Sequence, residues 1–176
     1  LVDWACFMIE RVRRWQPENE IFLVGDGSYA AIVLIQRCQR LKKPVHLISR
    51  LRLDAVLHDP PPPQPKGKRG PRPKKGERQM SLAQRLVDPA TVWEEAILPW
   101  YGGFLKKIRF ASGIALWYSR GNDPVPVRWV LVRATDNSFK PAAFFCSDQS
   151  IAPLLILNWF VSRWNIEVTF EELRAH

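Results

Sequence analysis

Between His58 and Arg78 lie seven of the chain's fifteen prolines and seven basic side chains: Lys66, Lys68, Arg69, Arg72, Lys74, Lys75 and Arg78. Proline fixes φ and lacks a backbone N–H, so this stretch cannot form a helix interior or a central strand. It reads as an extended, polyproline-like, solvated linker, 58–78, that divides the 176 residues into two parts of different texture. Only Asp59 and Glu77 oppose its seven cations, so a net +5 of the chain's formal +9 is concentrated there. Two readings stand side by side. One is a solvated spacer; the other is an arm that contacts phosphates, because Lys/Arg clusters on extended segments bind nucleic acid without a fold of their own.

Before the linker, Asp3 is placed to cap a helix running to about Trp15, with Phe7, Met8 and Val12 as its apolar face and Pro17 closing it. Ile21–Val24 is a short continuous apolar run followed by Gly25, the pattern of a strand buried on both faces. Ser28 opens a helix to about Lys42, Pro44 ends it, and Val45–Ser49 forms a second strand. Strand, helix, strand at this length predicts a parallel crossover and an α/β fold class. Beyond the linker, five β-branched or aromatic runs (92–100, 105–111, 114–118, 127–133 and 142–146) predict a β meander. Among the turn signals between them are Gly102-Gly103, Gly121-Asn122 and Asp136-Asn137. A last helix starts near Ser150–Pro153, with Leu154, Leu157, Val161, Trp164 and Val168 as its apolar stripe.

Several function classes fall away on composition. No uninterrupted apolar run reaches the roughly 18 residues a membrane helix needs, since Pro153 and Asn158 break the longest, so a soluble protein without membrane partners is expected. Cys6, Cys38 and Cys146 are odd in number and far apart, which argues for a reducing cytosol and against a disulfide framework or zinc cluster. His46, His58 and His176 show no ligand spacing either, so each is expected to be structural or solvated. The chain begins at Leu1 without a charged-then-apolar leader, which reads as a processed chain or a fragment, and fragment is preferred.

Two places hold residues suited to chemistry. Asp26 follows a buried strand directly and sits between Gly25 and Gly27, where open α/β sheets put functional groups. By itself the position admits a simple capping carboxylate, or a phosphate turn, although "GDGS" lacks both GxGxxG and GxxxxGK[ST]. In the last helix, Arg163, Glu167 and Arg174 are spaced by four and seven residues and fall within roughly 40° on one face. That arrangement is a carboxylate flanked by two guanidinium groups, or an exposed salt-bridge ladder.

Together, "FLVGDGSYA" and the distant "WFVSRWNIEVTFEELRAH" resemble the DDE transposases of bacterial insertion sequences, in the group that includes the insertion sequence 4 and 701 types. The resemblance covers nearly the whole chain. The family's last-helix signature is Tyr, two residues, Arg, three residues, Glu, six residues, Lys. The same frame here reads Phe160, Arg163, Glu167, Arg174, with two positions identical, Phe160 lacking the phenol hydroxyl and Arg174 keeping the charge.

The resemblance implies a partial RNase H-like core with a β-rich insertion domain. Residues 1–50 would be core (helix, strand with Asp26, helix, strand), 51–149 the insertion including the basic linker 58–78, and 150–176 the core helix carrying Glu167. It further implies that Asp26 and Glu167 are two of three carboxylates holding two Mg²⁺ ions, or Mn²⁺, for in-line phosphodiester transfer. Arg163 and Arg174 would grip phosphate, with Phe160 beside them. The partner would be double-stranded DNA at transposon ends, bound as a dimer, in the bacterial cytosol at the nucleoid. The family's first Asp belongs to a strand upstream of Leu1, and neither Asp3 nor Asp54 nor Asp59 follows a central strand in its place, so the chain alone is expected to be inactive. Strand 21–24 should then leave an open sheet edge. Of Trp93, Trp100, Trp117 and Trp129, most should be core, and one could stack a flipped base, as an insertion aromatic does in related transposases. The rival readings are a catalytically dead DNA-binding remnant and a nucleotide-binding α/β domain built on "GDGS".

Overall fold

In the computed structural model, residues 1–63, 70–100, 104–164, 169 and 174 are described. Helix α1 (Val2–Trp15) is followed by strand β1 (Ile21–Val24), a 3₁₀ turn (Gly27–Tyr29), helix α2 (Ile32–Gln39) and strand β2 (Val45–Leu51). Next come the short strand β3 (Leu57–His58), the one-turn helix α3 (Leu82–Arg85), β4 (Glu94–Pro99), β5 (Leu105–Trp117), β6 (Val125–Ala134), β7 (Ala142–Cys146) and helix α4 (Pro153–Ser162). Among the described residues the seven strands belong to one mixed sheet of order β1-β2-β7-β6-β5-β3, with β4 pairing the other half of β5.

The fold class is therefore α/β, and the parallel pair is the expected one: β1 lies beside β2 with Ile21 opposite Val45 and Val24 opposite Ile48. Every other pairing is antiparallel. Strand β7 joins the two textures, pairing β2 on one side and β6 on the other, so the strands of 51–149 continue the sheet of 1–50. Both faces of this junction are covered. Phe145 packs with Leu47, Trp129, Leu34 and Ile35 under α1 and α2, while Phe144 packs with Ile48, Ile156 and Phe160 under α4. A strand buried on both faces reads as a continuous apolar run, and all five residues of β7 are buried. Among the described residues strand β1 pairs only β2 and forms one margin of the sheet, as expected for an edge.

Four local expectations differ from what is found. Asp3 does not cap α1; Leu1 is the N-cap and Asp3 lies in the first turn, where its charge still favours the helix dipole. The face of α1 that turns inward carries Ala5, Cys6 and Ile9, whereas Phe7, Met8 and Val12 are exposed. Small side chains let α1 approach α2, and the larger apolar residues are left outside. The segment from Ser28 is not one helix. Asp26 Oδ1 accepts from Ser28 N at 2.8 Å and nucleates only the 3₁₀ turn, after which extended Ala31 separates it from α2.

The fourth difference is at Gly113. The runs 105–111 and 114–118 were expected as two strands, yet β5 runs unbroken for 13 residues, with Gly113 directly opposite Trp129. The Trp129 indole lies flat on this glycine: a Cβ there would stand 2.7 Å from Trp129 Cζ2. The glycine is a close-packing position and not a turn.

The described ends of the linker are also more ordered than a free spacer. Asp59 N donates to Glu77 O, Gly76 N to Asp59 O and Gln79 N to Leu57 O, which folds residues 76–79 back along β3. Lys66, Lys68 and Arg69 lie outside the described residues.

Candidate functional site

The site is built at the carboxyl ends of the parallel strands. Gly25 N donates to Ile48 O at 3.0 Å, extending the β1–β2 ladder to the residue before Asp26. The fully buried hydroxyl of Ser49 on β2 then donates to the Asp26 carbonyl. Tyr29 folds back onto Gly25, where an added Cβ would meet Tyr29 Cβ at 3.0 Å, so the 3₁₀ turn packs tightly on this glycine. With its main chain held in this way, Asp26 presents an exposed carboxylate whose Oδ1 takes the Ser28 N–H. Its Oδ2 makes no hydrogen bond among the described residues.

The carboxylate opens into a cleft of about 990 Å³ lined by Asp26, Gly27, Ser28, Arg50, Arg52, Trp117, Ala142, Ala143, Phe160, Arg163 and Trp164, among others. Two of the expected site residues from the far end of the chain, Phe160 and Arg163, thus face the same space as Asp26. Phe160 is buried against Phe144, ring centroids 4.5 Å apart, which fixes this part of α4 on the sheet. Arg163 follows at the end of the helix with its guanidinium 5.5 Å from the Phe160 ring centre. Leu157 and Val161 are buried as the apolar stripe predicts, whereas Trp164 is 39% exposed. Glu167 and Val168 lie outside the described residues, and Arg174 is exposed on helical backbone.

Arg50 and Arg52 were not singled out from the sequence. Both are exposed, Arg50 on β2 and Arg52 just past its end, so three guanidinium groups face one carboxylate in the described cleft. Arg52 makes a two-point pair with Asp54 (2.8 and 2.7 Å); its hydrogen bonds hold the Asp54 carboxyl below the usual range. The signal that could have found Arg50 was its register: it lies on the strand beside β1, two residues beyond the partner of Val24.

Of the four tryptophans in 51–149, only Trp117 reaches the cleft, its ring centre 5.3 Å from that of Phe145. Trp129 covers Gly113, Trp100 stacks on Phe139 at 4.6 Å, and Trp93 lies under the Arg133 guanidinium at 4.2 Å. The described part of the basic segment ends near the same wall. Lys75 Nζ stands 3.3 Å from the Tyr118 ring centre, one residue from Trp117, and 3.2 Å from His58 Nε2. Lys74 pairs with Asp123, and Arg72 and Arg78 are exposed.

A hard divalent cation such as Mg²⁺ is bound by carboxylate oxygen and water. Asp26 fits that requirement, with one oxygen disengaged and open to the cleft, and it is the single acidic residue that lines the cleft among the described residues. A second group of possible metal ligands lies at the opposite end of the strands, where Glu20, His46 and Asp148 bring three donor atoms within 4.8 Å of one another. Among the described residues no helix is long and apolar enough to cross a membrane. No family model matches the chain, and no curated protein matches it.

Proposed function

We propose that this chain is part of the catalytic core of a DDE-type DNA transposase, and that its cleft takes a DNA phosphodiester backbone. One observation carries the reading: Asp26, at the end of β1, and Phe160 and Arg163, 134 and 137 residues later, line one cleft. These are three of the four described members of the two motifs on which the resemblance rests; the fourth, Arg174, is exposed and does not line the cleft.

In this reading the RNase H-like sheet end holds Asp26 for divalent-metal binding together with Glu167 and a further carboxylate. Bound Mg²⁺ or Mn²⁺ would activate the attacking oxygen and stabilise the leaving one. The chain's own residues do the rest. Arg50, Arg52 and Arg163 neutralise phosphate, and the guanidinium fork suits that geometry. Ser49 holds the Asp26 main chain, the Ser28 amide holds its carboxylate, and Phe160 anchors the helix that carries Arg163. Lys74, Lys75 and Arg78 extend the positive surface past Trp117. The whole assembly would work as a dimer on double-stranded DNA at the bacterial nucleoid.

The second reading is a DNA-binding remnant without chemistry, and what favours it is that Asp26 is the one described carboxylate in a cleft of three arginines. DNA binding by the purified chain, with and without Mg²⁺, separates the two. A cleft that uses Asp26 for metal should bind DNA more tightly when Mg²⁺ is added, and Asp26→Asn should tighten metal-free binding while abolishing the Mg²⁺ effect. Arg50→Ala and Arg163→Ala should each weaken binding and lower the salt slope by about 1. An Asp26→Asn protein with unchanged Mg²⁺ response leaves the remnant reading; absence of salt-sensitive DNA binding refutes both.

A further inference from the structure

The end of the sheet opposite the cleft holds a second constellation. Glu20 immediately precedes β1, His46 is the second residue of β2, and Asp148 lies two residues beyond β7. Twenty-six and 102 residues separate them in sequence, and the parallel and antiparallel pairings bring them to one edge. Glu20 and Asp26 flank β1 at either end, about 20 Å apart at about 3.3 Å per residue. This edge is therefore separate from the cleft.

Three features distinguish it from a surface ion pair. His46 Nε2 stands 3.9 Å from Asp148 Oδ2, beyond hydrogen-bonding distance, and neither ring nitrogen makes a hydrogen bond among the described residues. Two ligands about 2.1 Å from one ion stand up to about 4.2 Å apart, so the gap matches a shared cation. The imidazole plane is set from behind: Phe22 lies against it at 5.2 Å, and Trp159 of α4 backs Phe22 at 4.7 Å. Asp148 is oriented as well. Its Oδ1 accepts from Ser150 N at 2.8 Å and Ser150 Oγ at 2.7 Å, which leaves Oδ2 for His46. Partial burial pushes its carboxyl up, but the two Ser150 hydrogen bonds and His46 outweigh this and keep it below the ordinary carboxylate range.

We infer that Glu20, His46 and Asp148 form a binding site for a divalent transition-metal cation, of the Zn²⁺ class, that ties the edge strand β1 to β2 and β7. One imidazole and two carboxylates suit Zn²⁺ or Mn²⁺ better than the hard, water-retaining Mg²⁺. Glu20 is exposed and closes the set with a small movement, since the three donor atoms already lie within 4.8 Å. The remaining positions stay open to water.

The test is calorimetric titration of the purified chain with Zn²⁺ in a non-chelating buffer. One ion should bind at this edge, and His46→Ala and Asp148→Asn should each weaken that binding by about tenfold or more. Glu20→Gln, an exposed change that leaves the core untouched, should weaken it as well, and circular dichroism verifies the fold of each variant. The Zn²⁺ site that His46→Ala removes should persist in Asp26→Asn, so this result is distinguishable from what the cleft does with Mg²⁺. In the Co²⁺ form, the visible absorption band should disappear in His46→Ala. No saturable binding, binding unchanged in folded Glu20→Gln and His46→Ala, or binding that vanishes when Cys6, Cys38 and Cys146 are replaced by Ala would overturn the assignment.

Discussion

Substituting Gly113 by alanine tests whether this glycine is a packing position or a turn. The added Cβ would stand 2.7 Å from Trp129 Cζ2 and 2.9 Å from Cε2, both far inside contact distance, and Trp129 is 4% exposed and cannot swing into solvent. The ring must shift within a core that also contains Leu82, Leu131 and Phe145. Overpacking of this kind costs about 1–3 kcal/mol. Alanine in a strand is otherwise slightly favoured over glycine, so the low end of that range is the net expectation. For a chain of this size 1 kcal/mol corresponds to about 2–4 °C in melting temperature. Urea unfolding followed by tryptophan fluorescence reads the loss, and the decisive comparison is a double-mutant cycle. In a Trp129→Leu background the clash is gone, so Gly113→Ala should become neutral or stabilising, with a coupling of about 1–3 kcal/mol. Equal destabilisation in both backgrounds would refute the packing account.

Two further perturbations read the site and the core. Ser49→Ala removes the donor to the Asp26 carbonyl at a fully buried position and should destabilise by about 1–3 kcal/mol by denaturant melt; no loss would show that Asp26 is not held from β2. Burial pushes the Cys38 thiol up to about 11 and the Cys146 thiol up to about 12, so the folded state keeps protons that the unfolded chain gives up near pH 9. Stability is therefore complete below pH 9 and declines as pH rises towards those values. Urea midpoints between pH 7.5 and 10 check this, and a midpoint that stays level in that window counts against thiol burial.

Elements with a single strong local pattern were legible in the sequence. The strand at Ile21–Val24, its parallel crossover to β2, the strand at Ala142–Cys146 and the Leu157/Val161 stripe of α4 appear in the fold as read, but β1 is half-buried at the sheet edge and not buried on both faces, because only β2 pairs with it among the described residues. The misreadings share a cause: the local pattern admitted two partners and the tertiary context chose. Helix α1 has two apolar faces, and contact with α2 selected the one with Ala5, Cys6 and Ile9 over Phe7, Met8 and Val12. Gly113 has the composition of a turn, and only Trp129 on the neighbouring strand shows why the strand continues. At the site, the position of Asp26 at the end of a strand was legible from its glycine-flanked place after an apolar run, and so was the capping role it takes toward Ser28 N. Arg50 was not, because nothing local distinguishes it from any exposed strand residue. The histidine spacing carried no signal for Glu20, His46 and Asp148, since sheet pairing alone unites them.

Strand β7 has a neighbour at each of its ends. Ala142 and Ala143 border the cleft, and Asp148, just beyond its other end, faces His46. Four of its five residues are clamped on both sides by β2 and β6, and Phe144 and Phe145 point to opposite cores. A strand in that position cannot creep. Its smallest displacement is a whole residue, which would exchange the two phenylalanines between faces and empty both cores at once. The strand is in effect a fixed ruler, setting in whole-residue steps the separation between Ala142 and Ala143 at the cleft and Asp148 beside His46 at the other end of the sheet.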